Sequence, residues 1–224
     1  IRKKIRENKE KKRKGQGGGK RATRRGEKLG MKTKEMNGRR STDEERIEVV
    51  TMVYGGWNNK KNVASNKNRE CNKIGVTGAE ANIIPAVKRP VKDVDYGFVG
   101  DLGSGQSAGG SLQLFMENGL SPVLAPLTHD GQGQMLNTNA DTIASHIATE
   151  LAKSYEVRLI YCFEKKGVLE NIDDESSVIS LITKDSYQIL LAEKKLADGI
   201  LPKLENAFAA IDSGVKEVLI GHAE

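Results

Sequence analysis

An α/β fold, a three-layer αβα sandwich around a mostly parallel central sheet, is predicted by three features of this 224-residue chain. Apolar runs of strand length alternate with stretches of helical period, the connections between them are short, and a 37% hydrophobic content can fill the core of one domain or of two apposed lobes. Strand and helix in alternation imply parallel strands covered on both faces.

The pattern begins at Ser41. Ser41 and Thr42 precede Glu44 and Glu45 by three residues each, the spacing of a capping box, so a helix is expected to start there. Ile47, Val50, Val53 and Tyr54 share its apolar face, and Gly55-Gly56 is expected to end or interrupt it. Residues 73–77 and 96–99 read as short strands, with a basic loop or hairpin around Val87-Lys88-Arg89-Pro90-Val91 between them. Residues 111–118 form a helix closed by Gly119, residues 122–125 the next strand, and Thr128 to Gly133 a polar loop out of it. After Asn137 a helix carries Ile143, Ile147 and Leu151 on one stripe, followed by the strongest strand, residues 157–163. Helices over residues 184–195 and 202–212 precede a last strand at 217–220.

The net charge of +6 conceals an asymmetry: residues 1–40 carry 18 Lys and Arg against 4 Glu, so this stretch nets +14 and the remainder −8. Such a stretch suggests a polyanionic partner, yet its first fourteen residues have only Ile1 and Ile5 as apolar side chains and no aromatic to stack on a base. A solvated tail is the favoured reading, and nucleic acid is not expected as a partner. No run of about 18 apolar residues spans a membrane and no signal peptide is recognisable, so a soluble, cytoplasmic protein is expected. Cys71 and Cys162 have neither metal-ligand spacing nor disulfide density; Cys162, inside the apolar run 157–163, is expected to be a buried thiol.

Three separated stretches point to one chemistry: Gly17-Gly18-Gly19, then Asn137-Thr138-Asn139-Ala140-Asp141, then Asp198-Gly199-Ile200-Leu201-Pro202-Lys203. A phosphoryl group in flight spreads negative charge over its oxygens and requires fixed donors and cations more than a covalent group. Glycine amides, asparagines and a lysine are such parts. There is no P-loop, because Gly19-Lys20 is followed by Arg21 and Lys14 stands where the first glycine belongs. Gly103, Gly105 and Ala108 match the dinucleotide pattern after a plausible strand, but no clear strand ends in an acidic residue about 20 positions later to hold a ribose.

With these residues in place the chain resembles the amino acid kinase family, and within it the acetylglutamate kinases, over about residues 17–223. The resemblance is most specific at Asn37-Gly38-Arg39-Arg40-Ser41-Thr42-Asp43, at 137–141, at Lys166-Gly167-Val168-Leu169, and at 198–203 with Glu205-Asn206-Ala207 after it. It implies ATP-dependent phosphorylation of the side-chain carboxylate of N-acetyl-L-glutamate, or of another N-acyl-L-glutamate such as the succinyl compound, in arginine biosynthesis. Siblings acting on aspartate, glutamate or UMP are the nearest alternatives; nucleic-acid binding through the head and a nicotinamide-dependent activity are readings from other classes.

Position by position, the resemblance makes Gly18 and Gly19 main-chain donors to the phosphoryl and the substrate, where otherwise they would be a flexible linker. Arg40 matches the arginine that clamps the substrate's α-carboxylate, against one more solvated cation. Asn137 matches the asparagine that orients the acylated amino acid, and is also a natural helix N-cap. Asp141 matches the aspartate that holds the active-site lysines, or simply serves the first turn of a helix. Lys203 matches the lysine that stabilises the phosphoryl in transfer. Glu164, Lys166, Gly167, Val168, Leu169 and Gly199 fall on the nucleotide-binding positions, although the family usually has aspartate where Glu164 stands. Catalysis is therefore assigned to Lys203 and Asp141. ATP would bring Mg²⁺ with it, so no metal ligands are assigned.

The expected organisation is a basic head, residues 1–14, and one kinase domain, residues 15–224, with a substrate lobe to about 155 and a nucleotide lobe from about 156. A homodimer is expected, because residues 1–14 lack the apolar stripe of the N-terminal helix that builds larger rings in the arginine-inhibited branch. The family opens on an apolar strand carrying Lys-x-Gly-Gly, whose lysine is a second catalytic cation, and nothing in this chain matches it. Gln16 also replaces the usual His before the three glycines. Either the chain is cut short or the head residues do not report the gene product; the sharp resumption of motifs at Gly17 favours the second.

Overall fold

The computed structural model describes residues 35–36, 39–65, 71–103, 109–162, 165–171, 173–193, 195–196 and 200–222, with the backbone alone at 35–36 and 39–40. Two compact units result, one running to Tyr155 and the other from Glu156 onward.

In the first unit β1 (Glu35–Met36) and β2 (Arg39–Arg40) pair antiparallel ahead of α1 (Glu44–Thr51). The cap of α1 is Asp43 rather than Ser41 or Thr42. Thr42 is committed as extended chain, donating its N–H to the Tyr96 carbonyl at 2.9 Å and accepting from the Phe98 N–H at 2.6 Å. The turn into the helix therefore falls one residue later, where the Asp43 carboxylate accepts from the Arg46 N–H at 3.0 Å. At Gly55-Gly56 the helix widens instead of ending: Met52–Asn58 runs as π-helical turns and α2 (Asn59–Ser65) continues from it. Close approach explains the first glycine, since a Cβ on Gly55 would meet Leu127 at 3.3 Å and Thr77 at 3.4 Å.

Next come β3 (Lys73–Val76), β4 (Val87–Lys88), β5 (Gly100–Asp101), α3 (Gly109–Glu117), β6 (Ser121–Leu124), β7 (Leu127–His129), β8 (Met135–Asn137) and α4 (Ala140–Ala152). The β3–β6 ladder is parallel, with Lys73 opposite Ser121, while β4–β5 and β7–β8 are antiparallel pairs. β4 and β5 close the expected basic hairpin, where the Arg89 guanidinium grips both carboxylate oxygens of Asp101 at 3.0 Å. Successive residues of β3 point to opposite faces. Gly75 faces α2, whereas Ile74 and Val76 join Ile83, Ile84, Leu112 and Ile143 against α3 and α4, so helices cover both faces of the ladder. Ile47, Val49, Val50 and Val53 of the long helix pack on Ala125 and Leu127 as a second core.

Asn59 ties the long helix to this ladder by donating from Nδ2 to the Val76 carbonyl at 3.3 Å and the Val123 carbonyl at 2.8 Å. Gly75 makes room for it, because a Cβ there would lie 2.0 Å from Asn59 Oδ1 and 2.9 Å from Val63. Gly75→Ala is expected to cost about 2 to 4 kcal/mol in urea unfolding, from overpacking plus two weakened hydrogen bonds, one buried and one partly buried. A loss below about 0.5 kcal/mol would contradict the packing described here.

The second unit pairs β9 (Arg158–Cys162) in parallel with β10 (Glu217–Gly221), across α5 (Lys184–Ala192) and α6 (Leu201–Asp212). Arg158 and Glu217, opposite each other in register, also form a 2.6 Å ion pair. Val168, Tyr187, Leu196, Ile200 and Leu204 form the core, with the Tyr187 and Phe208 rings 5.1 Å apart. Burial along β9 alternates: Leu159 and Tyr161 are inside, Arg158, Ile160 and Cys162 outside. The Cys162 thiol is thus exposed and not buried as expected; a continuous apolar run masked a strand with only one covered face in this unit. Among the described residues no helix is long and apolar enough to cross a membrane.

Candidate active site

The segment from β8 into α4 is held at nearly every residue. Asn137 donates its main-chain N–H to the Phe98 carbonyl at 2.9 Å, and its Nδ2 donates to the Thr42 hydroxyl at 3.1 Å. Thr42 is wholly buried, so the amide of Asn137 is pinned from beneath by a side chain shielded from water. Gly97 permits this approach: its φ of +72° is left-handed, and a Cβ there would lie 2.2 Å from the Thr42 carbonyl oxygen. Thr138 donates to the Gly100 carbonyl at 3.2 Å and, with its proton so used, accepts from Thr128 at 2.8 Å. Asn139, not Asn137, caps α4, its Oδ1 accepting from the N–H groups of Asp141 at 2.8 Å and Thr142 at 3.1 Å. The cap is displaced because Asn137 is still in the ladder. Its side chain is thereby left for another task, and Asp141 falls in the first turn, where the helix field favours a carboxylate.

The loop after β3 has its own charged device. Burial works against ionisation of Glu80, but hydrogen bonds from the hydroxyl and N–H of Thr77 outweigh it and hold the carboxyl below its usual range. Ala81 and Asn82 follow with positive φ of 50° and 51°. His129 serves its turn locally, its Nδ1 accepting the Gly131 N–H at 3.1 Å.

In the second unit Lys203 lies in the first turn of α6, after Pro202, and its N–H bonds the Ile200 carbonyl at 3.0 Å. Its ammonium sits 5.3 Å from the ring centroid of Tyr161 on β9. The chain beyond β9 passes through Lys166 and Gly167 to Val168, which is buried with Ile200 and Leu204. Leu169 then bridges to Val178. Residues 166–169 also lie against the end of β10, since a Cβ on Gly221 would sit 3.1 Å from the Lys166 carbonyl. The start of α6, the turn at 166–169 and the ends of β9 and β10 therefore gather at the carboxyl end of a parallel ladder, where α/β sheets bind ligands.

Of the sequence-predicted residues, the structure brings Asn137 and Asp141 together in one unit, and Lys203 with Lys166, Gly167, Val168 and Leu169 in the other. Gly18, Gly19, Glu164 and Gly199 lie outside the described residues, as do residues 104–108 of the glycine-rich patch; Arg40 is placed in β2 by its backbone. Sequence reasoning gave no role to Thr42 beyond a cap, nor any to Tyr161. Thr42 lies inside a quoted motif, which was a signal; nothing in the run 157–163 singled out Tyr161.

The model of the amino acid kinase family matches residues 15–222. An acetylglutamate kinase of Phocaeicola vulgatus is 53% identical over 204 residues, covering 91% of this chain and 79% of that protein. One from Cytophaga hutchinsonii is 50% identical over 209 residues, covering 93% and 78%. Among solved structures, smu.665 of Streptococcus mutans superposes with a TM-score of 0.74 at 28% identity, over 89% of this chain and 77% of that one.

Proposed function

The chain belongs to the amino acid kinase family, and from that premise we propose that it transfers the terminal phosphoryl group of ATP to the side-chain carboxylate of N-acetyl-L-glutamate, a step of arginine biosynthesis. The observation that carries this is the 53% identity over 204 residues with a kinase named for that substrate. The products are ADP and an acyl phosphate.

The acceptor carboxylate, with a reference pKa of about 4.3, is already ionised at neutral pH, so the attack needs no general base. The histidines stay outside the chemistry. What remains is positioning and charge. In our reading Asn137, fixed by Thr42, orients the acylated amino acid, and Arg40 clamps its α-carboxylate through two parallel N–H bonds. Gly18 and Gly19 supply main-chain donors. Lys203 neutralises charge on the phosphoryl during transfer, and Asp141 holds the active-site lysine. Glu164, residues 166–169 and Gly199 receive the nucleotide, which arrives as MgATP. Residues to about 155 then serve the amino acid and those from 156 the nucleotide.

We further propose a cytoplasmic homodimer without affinity for nucleic acid. Met52 and Trp57, both exposed on the long helix, offer apolar surface to a second copy. Light scattering that returned a monomer or a hexamer would contradict the dimer, and salt-sensitive retention on DNA would contradict the absence of nucleic-acid binding. Substrate choice is tested by coupled ADP release with N-acetylglutamate, N-succinylglutamate, glutamate, aspartate and UMP. N-acyl glutamate is expected to support turnover at least about 100-fold better than the free amino acids, since an unfilled acyl site leaves its polar groups unpaired. Activity confined to aspartate or UMP would overturn the proposal.

A further inference from the structure

We propose that Tyr161 is a positioning residue for Lys203, its ring face holding the lysine ammonium at the start of α6; the inference rests on the assignment of Lys203 to phosphoryl transfer. Lys203 Nζ lies 5.3 Å from the centroid of the ring, inside the distance of about 6 Å at which the negative face of an aromatic attracts a cation. The ring is a rigid platform. Tyr161 is 5% exposed, and its strand is hydrogen-bonded in parallel to β10 with Ile220 opposite it.

Location gives the contact its purpose. An ammonium in the first turn of a helix sits at the positive end of the helix field, which disfavours it. Ile200, the residue at the N-cap of α6, contributes no side-chain cap that would offset this. An aromatic face does so without a net charge. The ring quadrupole orients the ammonium without adding a negative charge beside the transferring phosphoryl. Leu204, the next residue along α6, is buried and anchors this turn of the helix in the core.

The test grades the ring without changing its shape. Tyr161→Phe and Tyr161 replaced by mono-, di- and trifluorophenylalanine are compared in steady state, because each fluorine weakens the face potential at nearly constant volume. Tyr161→Phe is expected to keep kcat within about twofold of the parent, and kcat is expected to fall at every fluorine, reaching about threefold to thirtyfold at the trifluoro ring, with both KM values within about twofold. A role in packing alone would not move with fluorination. A flat kcat across the series would overturn the inference, as would a large loss in Tyr161→Phe, which would make the hydroxyl the working group. If the fluorinated chains do not accumulate folded, Tyr161→Leu against Tyr161→Phe makes the same comparison, and equal kcat in the two overturns it. Lys203→Ala, run alongside, separates the two levels: parental turnover there would remove the catalytic assignment itself, whereas a slow Lys203→Ala with a flat fluorine series would remove only the role of Tyr161.

Discussion

Lys203→Ala is expected to lower kcat by about 10²- to 10³-fold, the loss that follows removal of one preorganised donor to developing charge. Folding stability is expected to change by only about 0.5 to 1 kcal/mol, because the substitution removes a ring contact from a half-buried side chain. N-Acetylglutamate should still bind, since the charge that Lys203 meets appears only as the phosphoryl moves. Steady-state kinetics, thermal unfolding and substrate titration check the three statements together. Turnover within about threefold of the parent would show that the family's lysine is not at this position.

Asp141→Asn keeps the shape of the side chain and leaves the main-chain N–H of residue 141 free to bond Asn139, while removing the charge. The stability cost is that of one first-turn carboxylate, about 0.3 to 1 kcal/mol. Turnover is expected to fall by about tenfold or more, well beyond what that destabilisation accounts for. The double variant with Lys203→Ala should lose less than the two single losses combined, by at least about 0.5 kcal/mol in activation free energy, if the carboxylate acts by orienting the lysine. Strict additivity would mean that the two do not work as a unit.

The α/β character was legible because alternation of apolar runs and helical stripes survives in almost every element; the stripe Ile143, Ile147, Leu151 does face one core. Local rules failed where a tertiary contact claimed the same residue. Ser41 and Thr42 satisfy the capping pattern, yet Thr42 is held as strand by Tyr96 and Phe98, and Asp43 caps instead. Asn137 is an excellent cap by composition, but the pairing with Phe98 keeps it in the ladder and passes that work to Asn139. Gly55-Gly56 reads as an end or an interruption, and the interruption is what occurs: π-helical turns replace the α-helix there before it resumes, with Gly55 close to Leu127 and Thr77. The residues that touch substrate in our account were visible as motifs. Of their supports, Thr42 lay inside such a motif but its place beneath Asn137 was not legible, and Tyr161 beneath Lys203 lay in none, since support depends on register and on neighbours distant in sequence.

Hydroxylamine trapping during turnover with N-acetyl-L-glutamate and MgATP tests the central claim most directly. A carboxyl phosphate is electrophilic at its acyl carbon and is captured as a hydroxamate, whereas a phosphate ester is not. The account predicts hydroxamate formed in step with ADP, one for one. Release of ADP that depends on N-acetyl-L-glutamate without any hydroxamate would contradict it.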